Sequence, residues 1–329
     1  MSRLVPGSDL SNSNLSGLKL QSVSLSKATL VGGILRNTDL AYSDLRDVDF
    51  EHAILGGANL RGTNLCGANL STVSLGEIKF DGALYDDRTQ WLAGPPDGAR
   101  LIGPDQDLCR VVFHGHDLSG VDLQRAQLRN IEARKVSFRN ATLHKADLSW
   151  SVLIAANFRG ASLTEGVLFH ADLTHAQLQK TNLQHCQLRG GQLVQADLSG
   201  ATLSGANLED VVAQGSCFLR AKLNETVMAR MRLRGANLQQ ADLRQADLQG
   251  ADLRSASLLQ ADLRGADLRG ADLRRASLMQ ADFRGANLQD ALLEGAQYAP
   301  NTRWPAQGFR PPGPVTVADP RQGHFPFGM

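Results

Sequence analysis

Residues 241–265 read ADLRQADLQGADLRSASLLQADLRG, with a leucine at every fifth position. Outward from this stretch, leucine or phenylalanine fills fifteen of the sixteen such positions from Leu10 to Tyr85. It fills thirty-five of the thirty-nine from Leu108 to Tyr298, and alanine lies two residues earlier at 24 of those thirty-nine. Helices bury residues about 3.6 apart and strands about 2 apart. A period of five therefore predicts a chain that turns a corner in every repeat.

The number of repeats in one coil is indicated by a longer period. Residues 256–265, ASLLQADLRG, match residues 276–285, ASLMQADFRG, at a shift of 20 residues. Twenty residues are four pentapeptides, so we expect four sides per coil. Each side would be hydrogen-bonded to the equivalent side of the next coil, like parallel strands about 4.8 Å apart.

The quoted repeats resemble the pentapeptide-repeat family, whose motif is A(D/N)LXX, over roughly 10–85 and 106–298. That resemblance implies an all-β fold, a right-handed quadrilateral parallel β-helix with four pentapeptides per coil. Stacked leucines would form an apolar axis that no single repeat could bury alone.

The five-residue register breaks between Tyr85 and Leu108, where Pro95-Pro96 and Gly103-Pro104 signal a loop. We therefore predict four segments: a first β-helix at 1–85, a capping linker at 86–105, a second β-helix at 106–298, and a cap with a Pro/Gly-rich tail at 299–329. The alternative is one continuous helix from which the linker bulges as a loop.

A shared motif ends both repeat runs. Tyr85, Thr89 and Trp91 recur at the same spacing as Tyr298, Thr302 and Trp304. The pattern resembles a segment that often closes repeat domains in cyanobacterial members of the family. An open β-helix end exposes unpaired strand groups, so it needs a cover, and we interpret both copies as end caps.

Composition excludes several classes of protein. The 329 residues carry 34 Lys and Arg against 33 Asp and Glu, a net charge of +1, which argues against a nucleic-acid binder. The longest apolar run, residues 152–156, is far short of the roughly 20 residues that span a membrane. Because no secretory signal is visible and the four cysteines lie far apart, we predict a cytoplasmic protein with reduced thiols.

No arrangement of residues predicts an enzyme, a metal site or a cofactor. His170, His175 and His185 fall on different sides of a four-sided coil, so they cannot converge on a metal. Cys186 occupies an inward position normally held by a small residue. Serine and aspartate are frequent because the repeat demands small polar residues, and their abundance is no sign of a catalytic triad.

Three surface features are candidates for an interaction surface. Arginines form two columns at a spacing of twenty, with aspartates in adjacent columns that could simply neutralise them. Leu259 and Met279 form a small apolar pair, and Trp150 is an outward aromatic. The candidate residues are Trp150, Arg244, Arg254, Leu259, Arg264, Arg274, Met279 and Arg284.

These features favour a non-catalytic solenoid that serves as a structural scaffold or binds a protein partner. Self-association through the β-helix ends is a further expectation. The family offers an alternative, a mimic of duplex DNA that binds a type II topoisomerase. Such a mimic should be strongly acidic, whereas residues 1–100 carry a net charge of −2 and residues 101–329 of +3.

Overall fold

Parallel pairing between positions twenty residues apart organises the chain. The computed structural model describes residues 4–306 and the backbone of Thr316–Val317. Within it, single parallel bridges join Asp242 to Asp262 and Asp262 to Asp282, and the same spacing recurs along both repeat runs. The chain thus returns to the same side after every four pentapeptides.

The backbone of one repeat shows how its neighbours are held. Leu243 N–H donates to the Asp262 carbonyl in the following coil (2.7 Å), and Asp242 N–H donates to the Ala221 carbonyl in the preceding coil (2.9 Å). Ala246 N–H closes the corner by donating to the Leu243 carbonyl (3.1 Å). This repeat therefore has hydrogen bonds both to its neighbouring coils and across its own turn.

Nearly every corner places one residue in the left-handed region. Gln245 has a φ of 57° and Gly250 a φ of 63°, as the third residue of a type II turn requires. The aspartate before the leucine stabilises the same corner, because Asp242 Oδ1 accepts the N–H of Arg244 (3.3 Å). Side-chain acceptors two residues before a free amide are typical of Asx turns. This explains why Asp and Asn fill that position so often.

Leucines and alanines form the interior. Leu243 and Leu263 are fully buried, and so are the alanines at the small inward position, such as Ala241. Phe138 stacks on Phe158 with ring centroids 5.0 Å apart, so the axis also accommodates rings in register. Thr181 takes the place of an inward alanine, and its hydroxyl donates to the Phe158 carbonyl (2.8 Å). A buried polar group is thus satisfied without disturbing the stack.

Six strands of two residues each are longer than the single-residue bridges of the ladder. They are β1 Asn69–Leu70, β2 Leu84–Tyr85, β3 Gln90–Trp91, β4 Arg100–Leu101, β5 Gln297–Tyr298 and β6 Thr316–Val317. Strand β1 pairs with β3, β2 with β4 and β5 with β6, all in parallel. These longer pairings occur where each repeat run ends.

The described residues contain no α-helix, and none of them forms a helix that could span a membrane. Extended parallel pairing and the absence of helix in this part of the chain agree with the predicted all-β fold. The interval of twenty agrees with four pentapeptides per coil.

The fold comprises two compact units. The first contains the residues up to Gln106 together with His116–Leu118, and the second contains Asp107–Gly115 and the residues from Ser119 onward. In the first unit a continuous apolar cluster runs from Leu10 to Ala83. The predicted segment boundaries at 85/86, 105/106 and 298/299 stay predictions, and most of the Pro/Gly-rich tail lies outside the described residues.

Candidate interaction surface

The candidate arginines of the two columns are neutralised by aspartates of their own repeats. An aspartate lies two residues before each candidate arginine, giving the pairs Asp242–Arg244, Asp252–Arg254, Asp262–Arg264, Asp272–Arg274 and Asp282–Arg284. In the first pair, Arg244 Nε donates to Oδ1 of Asp242 at 2.7 Å and Nη2 donates to Oδ2 at 2.6 Å. The guanidinium thus holds both carboxylate oxygens in a fork, a geometry that Arg favours.

The forks have an electrostatic consequence. Hydrogen bonds from Arg284 hold the pKa of the Asp282 carboxyl below its usual range, although partial burial opposes this. The same cause lowers the pKa of Asp242, Asp252 and Asp272. Asp267 and Arg269 form a further fork that sequence reasoning did not single out, although it has the same Asp-x-Arg spacing. These columns therefore present paired charges to solvent.

Leu259 and Met279 lie twenty residues apart at equivalent positions and are half-buried. Their backbone carbonyls accept the N–H groups of Gln240 (2.9 Å) and Gln260 (3.0 Å) in the preceding coils. The two residues therefore lie one coil apart in the same column, and each is only partly exposed.

Trp150 is the most prominent apolar group on the surface of the second unit, with 59% of the residue exposed. Its indole stacks on the imidazole of His170, with ring centroids 4.2 Å apart and an interplanar angle of 26°. Phe169, 37% exposed, lies beside His170 in sequence, and its carbonyl accepts the N–H of Trp150 (2.8 Å). We call Trp150, Phe169 and His170 the Trp150 patch.

The Trp150 patch follows from the twenty-residue period. His170 lies one coil after Trp150, so their side chains are stacked by the backbone ladder. Gly190 is the next residue in that column, and a Cβ there would lie 2.5 Å from Cε1 of His170. The glycine thus leaves room for the imidazole. Sequence reasoning picked out Trp150 alone; comparing it with the residue twenty positions later would have found its partner.

The two predicted caps share one geometry. Thr89 Oγ1 donates to the Leu65 carbonyl and accepts the N–H of Asp86. Thr302 Oγ1 donates to the Leu278 carbonyl and accepts the N–H of Ala299. Both hydroxyls therefore tie a turn to a carbonyl twenty-four residues earlier.

The aromatic residues of the caps also correspond. Trp91 meets Tyr85 edge-on at a centroid distance of 5.6 Å, and Trp304 meets Tyr298 edge-on at 5.3 Å. Trp304 further stacks on the core residue Phe283, at 5.4 Å. In both copies the tryptophan contacts the aromatic edge of the core, as a cover would, and the capping role stays a prediction.

Each cap also contains one residue more than the repeat. Leu70 pairs with Trp91 and Asp282 pairs with Arg303, so the interval is twenty-one instead of twenty. After this shift the chain adds one more parallel pairing in each unit, Leu84–Tyr85 with Arg100–Leu101 and Gln297–Tyr298 with Thr316–Val317.

Candidate metal ligands and nucleophiles do not converge in the described residues. No group of three His, Cys, Asp or Glu side chains in this part of the chain could hold a metal ion. Cys186 is buried, and its thiol donates to the Leu163 carbonyl. Burial raises the pKa of Cys186 to about 12, and burial also raises the pKa of the Cys66 thiol. Cys186 thus serves as a small inward residue.

Comparisons with solved structures find repeat proteins. HetL, from the cyanobacterium Nostoc sp. strain PCC 7120, is described as a pentapeptide repeat protein involved in heterocyst differentiation regulation. It is 35% identical over 59% of this chain and 89% of its own, with a TM-score of 0.36. The pentapeptide repeat protein alr5209 from Nostoc PCC 7120 is 46% identical over 28% of this chain and 75% of its own, with a TM-score of 0.27.

A third solved structure is QnrB1, described as a plasmid-mediated fluoroquinolone resistance protein. It is 15% identical over 58% of this chain and 90% of its own, with a TM-score of 0.31. A search of curated proteins found no match.

The family profile described as pentapeptide repeats matches most of the chain. The matched residues are 7–42, 43–82, 117–153, 151–190, 192–228, 232–270 and 261–296. These segments coincide with the repeats whose backbone forms the twenty-residue ladder. The chain therefore belongs to the pentapeptide-repeat family.

Proposed function

We propose that this protein is a non-catalytic scaffold, a right-handed quadrilateral parallel β-helix that binds a protein partner through the Trp150 patch. The observation that carries the proposal is the exposed indole of Trp150, stacked on His170, which directly follows the exposed Phe169 in sequence. Exposed apolar clusters on a soluble protein commonly mark a contact surface.

The patch has the properties of an interaction hot spot. Tryptophan is enriched among residues that dominate binding energy because it covers a large area with few rotatable bonds. Stacking on His170 restrains the indole before binding, which lowers the entropy cost of association. The corner column does not itself demand an aromatic, since Asn130 and Gly190 occupy neighbouring positions.

Surface charge argues against the alternative, a mimic of duplex DNA. A mimic must present unpaired negative charges at regular intervals. Here both oxygens of Asp242, and likewise of Asp252, are engaged by an arginine of the same repeat. The arginines therefore neutralise the carboxylates at the positions where a DNA mimic would present negative charge.

Photocrosslinking tests the proposal. A photoreactive phenylalanine analogue replaces Trp150 in one strain, and in a control strain it replaces the exposed Gln240, which lies on a different corner column. We expect a discrete crosslinked protein at position 150 that is absent at position 240. The purified partner should bind the wild type and bind the Trp150→Ala variant at least tenfold more weakly.

Two outcomes would refute this assignment: identical adducts at both positions, or equal affinity of the purified partner for wild type and Trp150→Ala. Circular dichroism of Trp150→Ala provides the control for folding, and Trp150 is not among the buried core residues. The cytoplasmic location and self-association through the helix ends remain predictions from the sequence.

A further inference from the structure

Between residues 231 and 285, an aspartate lies two residues before every arginine that follows a repeat centre, except in one repeat. Residues 231–235 read MRLRG, so Arg232 stands where the neighbouring repeats place an aspartate. Arg234 occupies the same column as Arg254 and Arg274 but lacks their carboxylate. Both side chains are exposed, and neither has an ion-pair partner among the described residues.

The backbone of this repeat is nevertheless regular. Arg232 pairs with Asp252 in the next coil, and its carbonyl accepts the N–H of Ala213 (2.8 Å). The carbonyl of Arg234 accepts the N–H of Gly215 (3.1 Å). Arg232 and Arg234 are two residues apart in an extended segment, and side chains at that spacing point to the same face. The two guanidinium groups therefore extend from the same side of the coil.

A surface cleft lies at these side chains. Its volume is about 630 Å³, and its charged lining residues are Asp210, Arg230, Arg232, Arg234, Asp252 and Arg254. Four arginines and two aspartates give the lining a net charge of +2. We call it the Arg232 cleft.

Two of the four arginines are already compensated by carboxylates. Arg254 donates to both oxygens of Asp252, at 2.8 and 2.7 Å. Arg230 donates to Asp210 at 2.9 Å and also contacts Glu209. The excess of two positive charges therefore resides on Arg232 and Arg234.

We propose that the Arg232 cleft binds a phosphate dianion, either inorganic phosphate or a phosphate monoester. Guanidinium groups bind phosphate oxygens in a bidentate manner, and a monoester carries a charge of about −1.5 to −2 at neutral pH. Two unpaired arginines match that charge. The site is separate from the Trp150 patch and does not depend on the partner proposed there.

The substitution Arg232→Asp offers a selective test, since it restores the sequence of the neighbouring repeats. The new carboxylate would form a fork with Arg234, as Asp252 does with Arg254, so the fold should be retained. Arg274→Gln is the charge control: Arg274 lies in the same column two coils away, outside the cleft but in the neighbouring depression that Arg234 also lines.

Binding is measured by NMR titration of arginine side-chain N–H signals, at constant ionic strength maintained with chloride. One arm uses inorganic phosphate and the other O-phosphoserine. We expect saturable shifts of the Arg232 and Arg234 signals with at least one of these probes. We also expect affinity at least tenfold weaker in Arg232→Asp and unchanged in Arg274→Gln.

The proposal is overturned if neither probe saturates the wild type, or if Arg232→Asp binds as tightly as the wild type. An equal loss of affinity in Arg274→Gln would likewise refute it, because the shifts would then report general charge screening. If Arg232→Asp does not fold, the double variant Arg232→Gln/Arg234→Gln replaces it, with the same expected loss.

Discussion

Replacing Thr302 by valine should loosen the last coil of the second unit. Valine has nearly the same side-chain volume as threonine but lacks the hydroxyl. In the wild type that hydroxyl accepts the N–H of Ala299 (3.2 Å) and donates to the Leu278 carbonyl (3.0 Å). No other acceptor among the described residues reaches that N–H, and leaving a fully buried donor unpaired costs about 1–3 kcal/mol. The Leu278 carbonyl keeps its bond from Ala281. Because the bond to Ala299 is only partly buried, we expect a loss of about 1–2 kcal/mol.

Thr181→Val is the matched control. Its hydroxyl donates to the Phe158 carbonyl (2.8 Å), which also accepts the N–H of Ala161. No amide depends on the Thr181 hydroxyl in the described structure, so this substitution should cost only about 0–1 kcal/mol. The difference between the two variants isolates the amide that Thr302 satisfies.

Hydrogen exchange measures this effect locally, which matters because repeat arrays can unfold from one end without a global transition. The probes are the amide of Phe283, which donates to the Arg303 carbonyl, and the amide of Arg303, which donates to the Ala281 carbonyl. A loss of about 1–2 kcal/mol would accelerate their exchange about five- to thirtyfold. Thr302→Val is compared through the exchange of Phe283 and Arg303, and Thr181→Val through the amides around residue 181. If the two variants change the local exchange rates equally, the Thr302 hydroxyl does not stabilise the last coil.

Three further predictions concern the core, the thiols and the acid range. Leu253→Ala, at a fully buried centre, should cost about 2–5 kcal/mol in urea unfolding; a loss below 1 kcal/mol, about the cost of a single methyl group, would contradict a close-packed axis. Iodoacetamide at pH 8 should label the half-buried Cys109 in the folded protein and leave Cys186 unlabelled, because burial raises the pKa of Cys186 to about 12; mass spectrometry of equal labelling would refute this. Arg284→Gln should raise the pKa of Asp282 toward its usual value, since its fork lowers that pKa; carboxyl NMR titration measures the change. A lowered folded pKa stabilises the protein above the unfolded pKa, and this contribution is lost as pH falls through the folded pKa, so the variant should lose less stability on acidification.

The repeat predicted the architecture from the sequence alone. Leucine at every fifth position and the match at a shift of twenty predicted the ladder that Asp242, Asp262 and Asp282 form. The reason is physical: in a solenoid each residue contacts its equivalents in neighbouring coils, so sequence period and spatial neighbourhood coincide. Few folds connect the two so directly.

The surface residues were harder to predict because the repeat allows many residue types at its outward positions. Corner residues such as Trp150 and Gln245 share a positive φ whatever their side chain, so the repeat leaves their identity open. The stack of Trp150 on His170 and the exception at Arg232 emerge only when each column is followed coil by coil. The forks show the same limit: Asp and Arg columns were visible in sequence, but bidentate pairing within one repeat required side-chain geometry.

The extra residue in each cap has a consequence for chain length. An interval of twenty-one at Arg303 means that any later pentapeptide would be offset by one residue from the ladder, with its leucine directed away from the axis. The predicted cap would therefore act as a stop signal, whereas the array before it could grow or shrink. If twenty residues were inserted or deleted between 241 and 285, Trp304 would return to the same side of the coil and cover an aromatic residue at a repeat centre. If only five residues were inserted or deleted, Trp304 would lie on the next side. Such proteins should vary in length by whole coils.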